Sequence, residues 1–208
     1  MISRGLLITI EGGEAVGKST QLLHLAERLR GSGHCVVTTR EPGGTPGAEA
    51  IREVMLDPAT VLDPLADTLL VFAARADHVA HLIRPALMQG KIVLCDRYVD
   101  STLAYQGYGL GVDLMSIRLL SSMIGLDPDL TFILDLSPDS ALARLSNRQG
   151  ALDRYERFTP AFAARVAAGF RAIAMDNPDR CLLIDAAAEI EDITRLMFDA
   201  IQTKLGRP

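Results

Sequence analysis

Residues 12–19 read Gly12-Gly13-Glu14-Ala15-Val16-Gly17-Lys18-Ser19, the pattern G-x-x-x-x-G-K-S. Its flanks decide its meaning. Ahead of it runs Leu6-Leu7-Ile8-Thr9-Ile10, an apolar stretch suited to a buried parallel strand. Behind it, between Ser19 and Arg30, Leu22, Leu25, Ala26 and Leu29 recur at helical spacing. Strand, glycine-bounded loop and helix in that order define a P-loop. Gly12 and Gly17 allow backbone angles that a Cβ would forbid. The loop N–H groups then turn inward and, with the helix N-terminus, make an anion site. Lys18 is placed to reach β- and γ-phosphates, and the Ser19 hydroxyl to ligate Mg²⁺. The alternative is a glycine-rich turn that binds nothing, which leaves both flanks without a purpose.

Outward from this loop, strands and helices alternate. Further strands are predicted at 34–39, 91–95, 130–136 and 181–184. Helical patterns lie at 48–56, 65–89, 138–148, 162–175 and 189–205, with one or two more helices between 96 and 125. Pro85 should kink the long helix or end its regular ladder. The run Arg40-Glu41-Pro42-Gly43-Gly44-Thr45-Pro46-Gly47 breaks regular structure with two prolines and three glycines. The pattern predicts an α/β P-loop NTPase fold: a five-stranded parallel sheet with helices on both faces and a short lid. Crossovers should be right-handed and the site should lie at the carboxyl ends of the strands.

The chain has 208 residues, enough for one α/β domain spanning 1–208. Hydrophobic residues make up 49% and charged residues 23%, an ordinary balance for a soluble globular protein. A net charge of −5 argues against a large nucleic-acid surface but leaves room for a local basic pocket. No apolar run approaches the roughly 20 residues that span a bilayer. The chain passes from Met1 almost directly into the first strand, with no signal peptide evident. Cys35, Cys95 and Cys181 are odd in number, lack C-x-x-C spacing and sit in or beside strand-like runs. They read as buried, reduced thiols of a cytoplasmic protein.

The segment Lys91-Ile92-Val93-Leu94-Cys95-Asp96-Arg97 delivers Asp96 to the sheet edge that carries the P-loop. That is where a carboxylate holds Mg²⁺, often through water. Arg97 follows it and brings a guanidinium to the phosphates; the alternative is a plain ion pair at a strand end. The sequence has no N-K-x-D guanine-reading motif and no L-S-G-G-Q stretch, and it is short for a helicase motor. A small kinase of nucleotides or metabolites remains.

Several motifs now fall into one order. They are Glu11 before the P-loop, Arg40-Glu41-Pro42-Gly43-Gly44-Thr45, Phe72-Ala73-Ala74-Arg75, Asp96-Arg97-Tyr98, and Ser101-Thr102-Leu103-Ala104-Tyr105-Gln106-Gly107. Together they resemble the bacterial thymidylate kinases over essentially the whole chain. The resemblance implies phosphorylation of dTMP to dTDP with ATP and Mg²⁺ by a cytoplasmic homodimer. It implies that Gly12, Gly13, Glu14, Ala15, Val16, Gly17, Lys18, Ser19 and Thr20 bind ATP. It implies that Ser19, Asp96 and Glu11 attend the metal. For dTMP it implies Glu11 near the sugar 3′-OH, Phe72 stacked on thymine, Arg75 on the base and Arg97 on the acceptor phosphate. Tyr105 falls beside the sugar C2′, with Ser101, Thr102 and Gln106 in the base-contacting stretch. Phe72 and Arg75 share a helix face at i, i+3, so one ligand can meet both. Glu41-Pro42 matches a bend that the family often makes with a cis bond, against the trans default.

The P-loop variable positions hold no arginine, so the resemblance points to a lid at about 147–157 for the catalytic one. Arg148 is the first candidate and Arg154 the second. Two rivals stay open: a kinase of another nucleoside monophosphate or small metabolite, and a P-loop regulator without phosphotransfer. Asp77, His78 and His81 hint at a metal site, but histidines at i, i+3 without a further placed ligand are more often surface or core residues. Asp127-Pro128-Asp129 is the turn before the fourth strand.

Overall fold

The computed structural model describes residues 4–137, 140–141, 143–144 and 159–206. The predicted lid, with Arg148 and Arg154, lies outside the described residues. The chain begins with β1 (Leu7–Gly12), whose six residues are all buried. There follow α1 (Lys18–Gly31), β2 (Val36–Arg40), α2 (Pro46–Leu56) and α3 (Pro64–His78). A π-helical stretch, Val79–Ile83, joins α3 to α4 (Arg84–Met88), and β3 (Ile92–Asp96) comes next. Then come α5 (Val99–Thr102), a second π-helical stretch Leu103–Gly109, and α6 (Leu114–Ile124). The chain closes with β4 (Leu130–Asp135), α7 (Pro160–Asp176), β5 (Cys181–Asp185) and α8 (Ile190–Leu205).

The five strands run in the order β2-β3-β1-β4-β5 and every neighbouring pair is parallel. Alternation of side chains across β1 explains the layers. Ile8 and Ile10 pack with Leu22, Leu25 and Leu29 of α1 and with Ile193, Met197 and Ile201 of α8. Leu7 packs with Val79, Ile83 and Leu87. Ile133 of β4 packs with Phe170 and Ile173 of α7. With β1 central and Ile10 in register with Asp96, the P-loop and the end of β3 emerge side by side.

Three helices start at a proline behind a capping oxygen. Thr45 accepts from Ala48 N–H before Pro46, Asp63 from Leu65 N–H before Pro64, and Thr159 from Phe162 N–H before Pro160. Proline at the first helical position loses no bond, because that N–H has no partner within the helix. Pro85 is absorbed differently. The ladder widens into the Val79–Ile83 π-helical stretch ahead of it, and the helix then continues. One reading needs correction: Cys35 is exposed, because it precedes β2 at the open edge of the sheet, whereas Cys95 and Cys181 are buried.

Candidate active site

The P-loop closes against β4 and β3. A Cβ on Gly12, at φ 137°, would collide with the Leu134 carbonyl oxygen, and Gly17 takes φ 98° at the mouth of α1. Lys18 is buried and folds back along the loop, its Nζ donating to Gly12 O at 3.2 Å and Gly13 O at 2.6 Å. Burial, and then the charge of Arg97, lower its pKa to about 8. The Ser19 hydroxyl donates to Asp96 Oδ2 at 2.8 Å, which sets two oxygens side by side on the cleft.

Arg97 takes a positive φ of 69°, and its backbone N–H donates to Ile10 O at 3.0 Å. The turn swings its guanidinium over the P-loop. NH1 donates to Gly12 O (2.9 Å) and Ser101 Oγ (3.2 Å); NH2 donates to Glu14 Oε1 (2.6 Å) and Tyr105 OH (3.2 Å). The Tyr105 hydroxyl donates to the same Glu14 oxygen at 2.8 Å, and its ring centroid lies 4.9 Å from the guanidinium carbon. Glu11 stands behind this group. It is fully buried, accepts from Tyr98 N–H at 2.8 Å and from the Ser101 hydroxyl, and does not border the cleft. Burial, and then the nearby Asp100 charge, push its pKa up to about 8.

The other end of the cleft is built on α3. Arg75 is buried, with Nε donating to Glu41 Oε2 at 2.7 Å and NH2 to Thr102 Oγ1 at 3.0 Å. Its guanidinium carbon lies 4.9 Å from the ring centroids of both Phe72 and Tyr98. Gln106 donates to Asp67 Oδ2 at 2.8 Å. The Glu41-Pro42 bond is cis, so the open choice at that bend resolves away from the trans default.

These parts line one cleft of about 660 Å³. Of the sequence-predicted residues, Glu14, Ala15, Gly17, Lys18, Ser19, Thr20, Glu41, Pro42, Arg75, Asp96, Arg97, Ser101, Thr102, Tyr105 and Gln106 border it. Gly12, Gly13, Val16, Glu11 and Phe72 do not border it. Sequence reasoning assigned no site role to Arg40, Arg52, Met55, Leu56, Val71, Tyr98 and Arg144, which also border it. The signal for Arg52 was weak: its contact is to a backbone carbonyl, Pro42 O, at 2.8 Å. The Asp77, His78 and His81 group does not converge. His81 pairs with Asp77, Thr45 donates to Asp77, and His78 turns inward to Glu41.

Comparisons with known proteins agree with this geometry. A family model described as thymidylate kinase matches residues 10–197. The thymidylate kinase of Gluconobacter oxydans (strain 621H) is 48% identical, over 99% of this chain and 98% of its own. That of Pseudomonas fluorescens (strain Pf0-1) is 54% identical, over 97% of each. A crystal structure of thymidylate kinase from Ehrlichia chaffeensis superposes with a TM-score of 0.77 at 38% identity, covering 96% of this chain and 99% of that one.

Proposed function

The chain belongs to the thymidylate kinase family, and on that premise we propose how its cleft phosphorylates dTMP to dTDP in the supply of dTTP. One observation carries the reading: a single cleft joins the Lys18 end to the Arg75 end, with Arg97 between them. ATP phosphates bind in the P-loop N–H groups and draw Lys18 off the Gly12 and Gly13 carbonyls. The acceptor nucleotide lies toward Arg75, Thr102 and Gln106, with its phosphate at Arg97.

The reaction needs no covalent nucleophile. An oxygen of the acceptor phosphate, already anionic, attacks the γ-phosphorus in line; the bond to the β-bridging oxygen breaks and ADP leaves. Catalysis is then positioning and charge stabilisation by Lys18 and Arg97. The site fits Mg²⁺, because Ser19 Oγ and Asp96 Oδ2 are hard oxygen ligands 2.8 Å apart on the cleft. Mg²⁺ would be held there, and when bound it offsets charge on the β- and γ-phosphates. Glu11 contributes by fixing the Tyr98 N–H and Ser101. Arg148, with Arg154 second, would supply the remaining cation as the lid closes, and the chain works as one domain. Among the described residues no helix is long and apolar enough to cross a membrane. The free thiols of Cys95 and Cys181 suit the reducing cytoplasm.

ADP release measured across a panel of monophosphates tests the assignment. The expected result is highest turnover with dTMP, with Lys18→Ala folded but nearly inactive. Preference for another monophosphate, or no turnover with any, would support a rival. Arg148→Ala should lower kcat more than it raises the KM for dTMP, and more than Arg154→Ala does. If neither substitution has an effect, the lid role is refuted.

A further inference from the structure

His78 is the last residue of α3 and is fully buried. Its Nδ1 lies 2.9 Å from Glu41 Oε1. The carboxylate only accepts, so Nδ1–H is the donor. Its Nε2 shares a 2.7 Å hydrogen bond with Thr39 Oγ1. Gly44, at φ 89°, passes directly over that bond: an added Cβ would stand 2.5 Å from Nε2 and 2.6 Å from Thr39 Oγ1. Three positions of the turn from Thr39 to Gly44 therefore close around one imidazole. That accounts for a glycine in the motif whose backbone must both bend and approach closely.

The consequence falls on Arg75. Arginine and carboxylate prefer two parallel bonds. Here Oε1 of Glu41 is occupied by His78, so only Oε2 reaches the guanidinium, at Nε. Thr102 takes NH2. NH1 is left buried and without a hydrogen-bond partner, although Arg75 borders the cleft. An unmet buried donor is costly, and an incoming carbonyl oxygen would satisfy it.

We propose that His78 is a positioning residue for the acceptor base, which holds Glu41 to a single contact with Arg75 and so fixes the guanidinium with NH2 on Thr102 and NH1 unmet, for a base carbonyl to fill. This rests on the reading of the Arg75 end as the acceptor-base pocket. Without His78, Glu41 Oε1 is released and the carboxylate grips Nε and NH2 side-on, displacing Thr102 from NH2 and turning the guanidinium so that NH1 leaves its set position.

The experiment compares His78→Phe, which keeps a ring but no nitrogen, with His78→Asn, whose amide N–H stands near the position of Nδ1–H. His78→Phe should raise the KM for dTMP about tenfold, the worth of one lost buried hydrogen bond, and leave the KM for ATP unchanged. His78→Asn should return the dTMP value toward wild type. Wild type should also prefer dTMP to 5-methyl-dCMP, which carries an amino group in place of the 4-carbonyl, and His78→Phe should narrow that preference. Equal changes in both KM values, a loss in kcat alone, or no rescue by His78→Asn would overturn the inference. If His78→Phe fails to fold, Gly44→Ala presses on the same Nε2 from the turn. Calorimetry should then show weakened dTMP binding with ATP binding intact, and equal loss of both would refute the role. Absence of dTMP turnover in the wild type would instead refute the functional reading beneath it.

Discussion

At the scale of single residues, Lys18 shows how the free site holds its charge. Burial favours the neutral amine, and Arg97 adds repulsion, so the pKa falls to about 8. The cation is the form that binds phosphate, and it prevails below that value. The expected outcome is a kcat/KM for ATP that is flat through neutral pH and declines as pH rises through about 8. Steady-state rates across pH 6 to 10 check it, and a profile flat to pH 10 would mean that Lys18 keeps its charge throughout. The sequence made Lys18, Ser19, Asp96 and Arg97 legible because a phosphate site needs fixed residue types at fixed spacing. It did not make His78 legible. A buried histidine shows its purpose only when Glu41, Thr39 and Gly44, some 34 to 39 residues earlier, are seen around it. Glu11 is a different case. The family resemblance implies a place near the sugar and the metal, and in this structure both its oxygens accept from the α5 turn.

At the scale of elements, the strands were readable from their apolar runs, and the helix starts were placed late. The apolar periodicity starts at Ala48, Leu65 and Phe162, whereas the helices begin at Pro46, Pro64 and Pro160. Pro46 reads in the sequence as part of a break, although proline is a preferred opening residue of a helix. The short α5 could not have been foreseen to hold its shape by propensity, since four residues gain little from helix formation itself. A buried ion pair fixes it. Asp100 is fully buried and accepts two bonds from Arg180, NH1 to Oδ2 at 2.7 Å and NH2 to Oδ1 at 2.8 Å. Thr131 on β4 joins the group through Arg180 NH1 at 2.9 Å. Arg180 thus ties the start of β5 to the helix that carries Ser101 and Thr102. Arg180→Met should strand the Asp100 carboxylate and destabilise the fold by about 3 kcal/mol. The double variant with Asp100→Asn should recover much of that loss. Denaturant midpoints of the three proteins decide it, and an Arg180→Met protein as stable as wild type would show that water reaches Asp100 freely.

At the scale of the whole molecule, α3 divides its two faces between separate tasks. Arg75 borders the cleft with the buried Phe72 ring packed against its guanidinium, while Leu65 and Leu69 stay about half exposed, at 51% and 48%. Beside α3 lies α6, where Met115, Leu119 and Met123 recur every fourth residue and are 70%, 66% and 76% exposed. Met115, Leu119 and Met123 therefore form one stripe along α6. Apolar side chains exposed as a contiguous stripe mark an interaction surface more often than bare surface, and a twofold pairing would bury the same stripe on both partners. A homodimer, which the family resemblance implies, would bury this stripe. Pairing there would also brace the outer face of the helix that sets Arg75. The expected outcome is that the wild type elutes as a dimer and the variant carrying both Leu119→Glu and Met123→Glu as a monomer at the same concentration. Its far-ultraviolet spectrum should be unchanged. Met175→Glu, at an equally exposed methionine on α7, is the control and should leave the dimer intact. Because α3 loses its brace, the monomer should show a higher KM for dTMP than the dimer does, with the KM for ATP little altered, since the P-loop rests on β1 and α1. Light scattering with steady-state kinetics measures both. A double variant that remains dimeric would move the interface elsewhere, and a monomer with wild-type kinetics would separate assembly from the setting of Arg75.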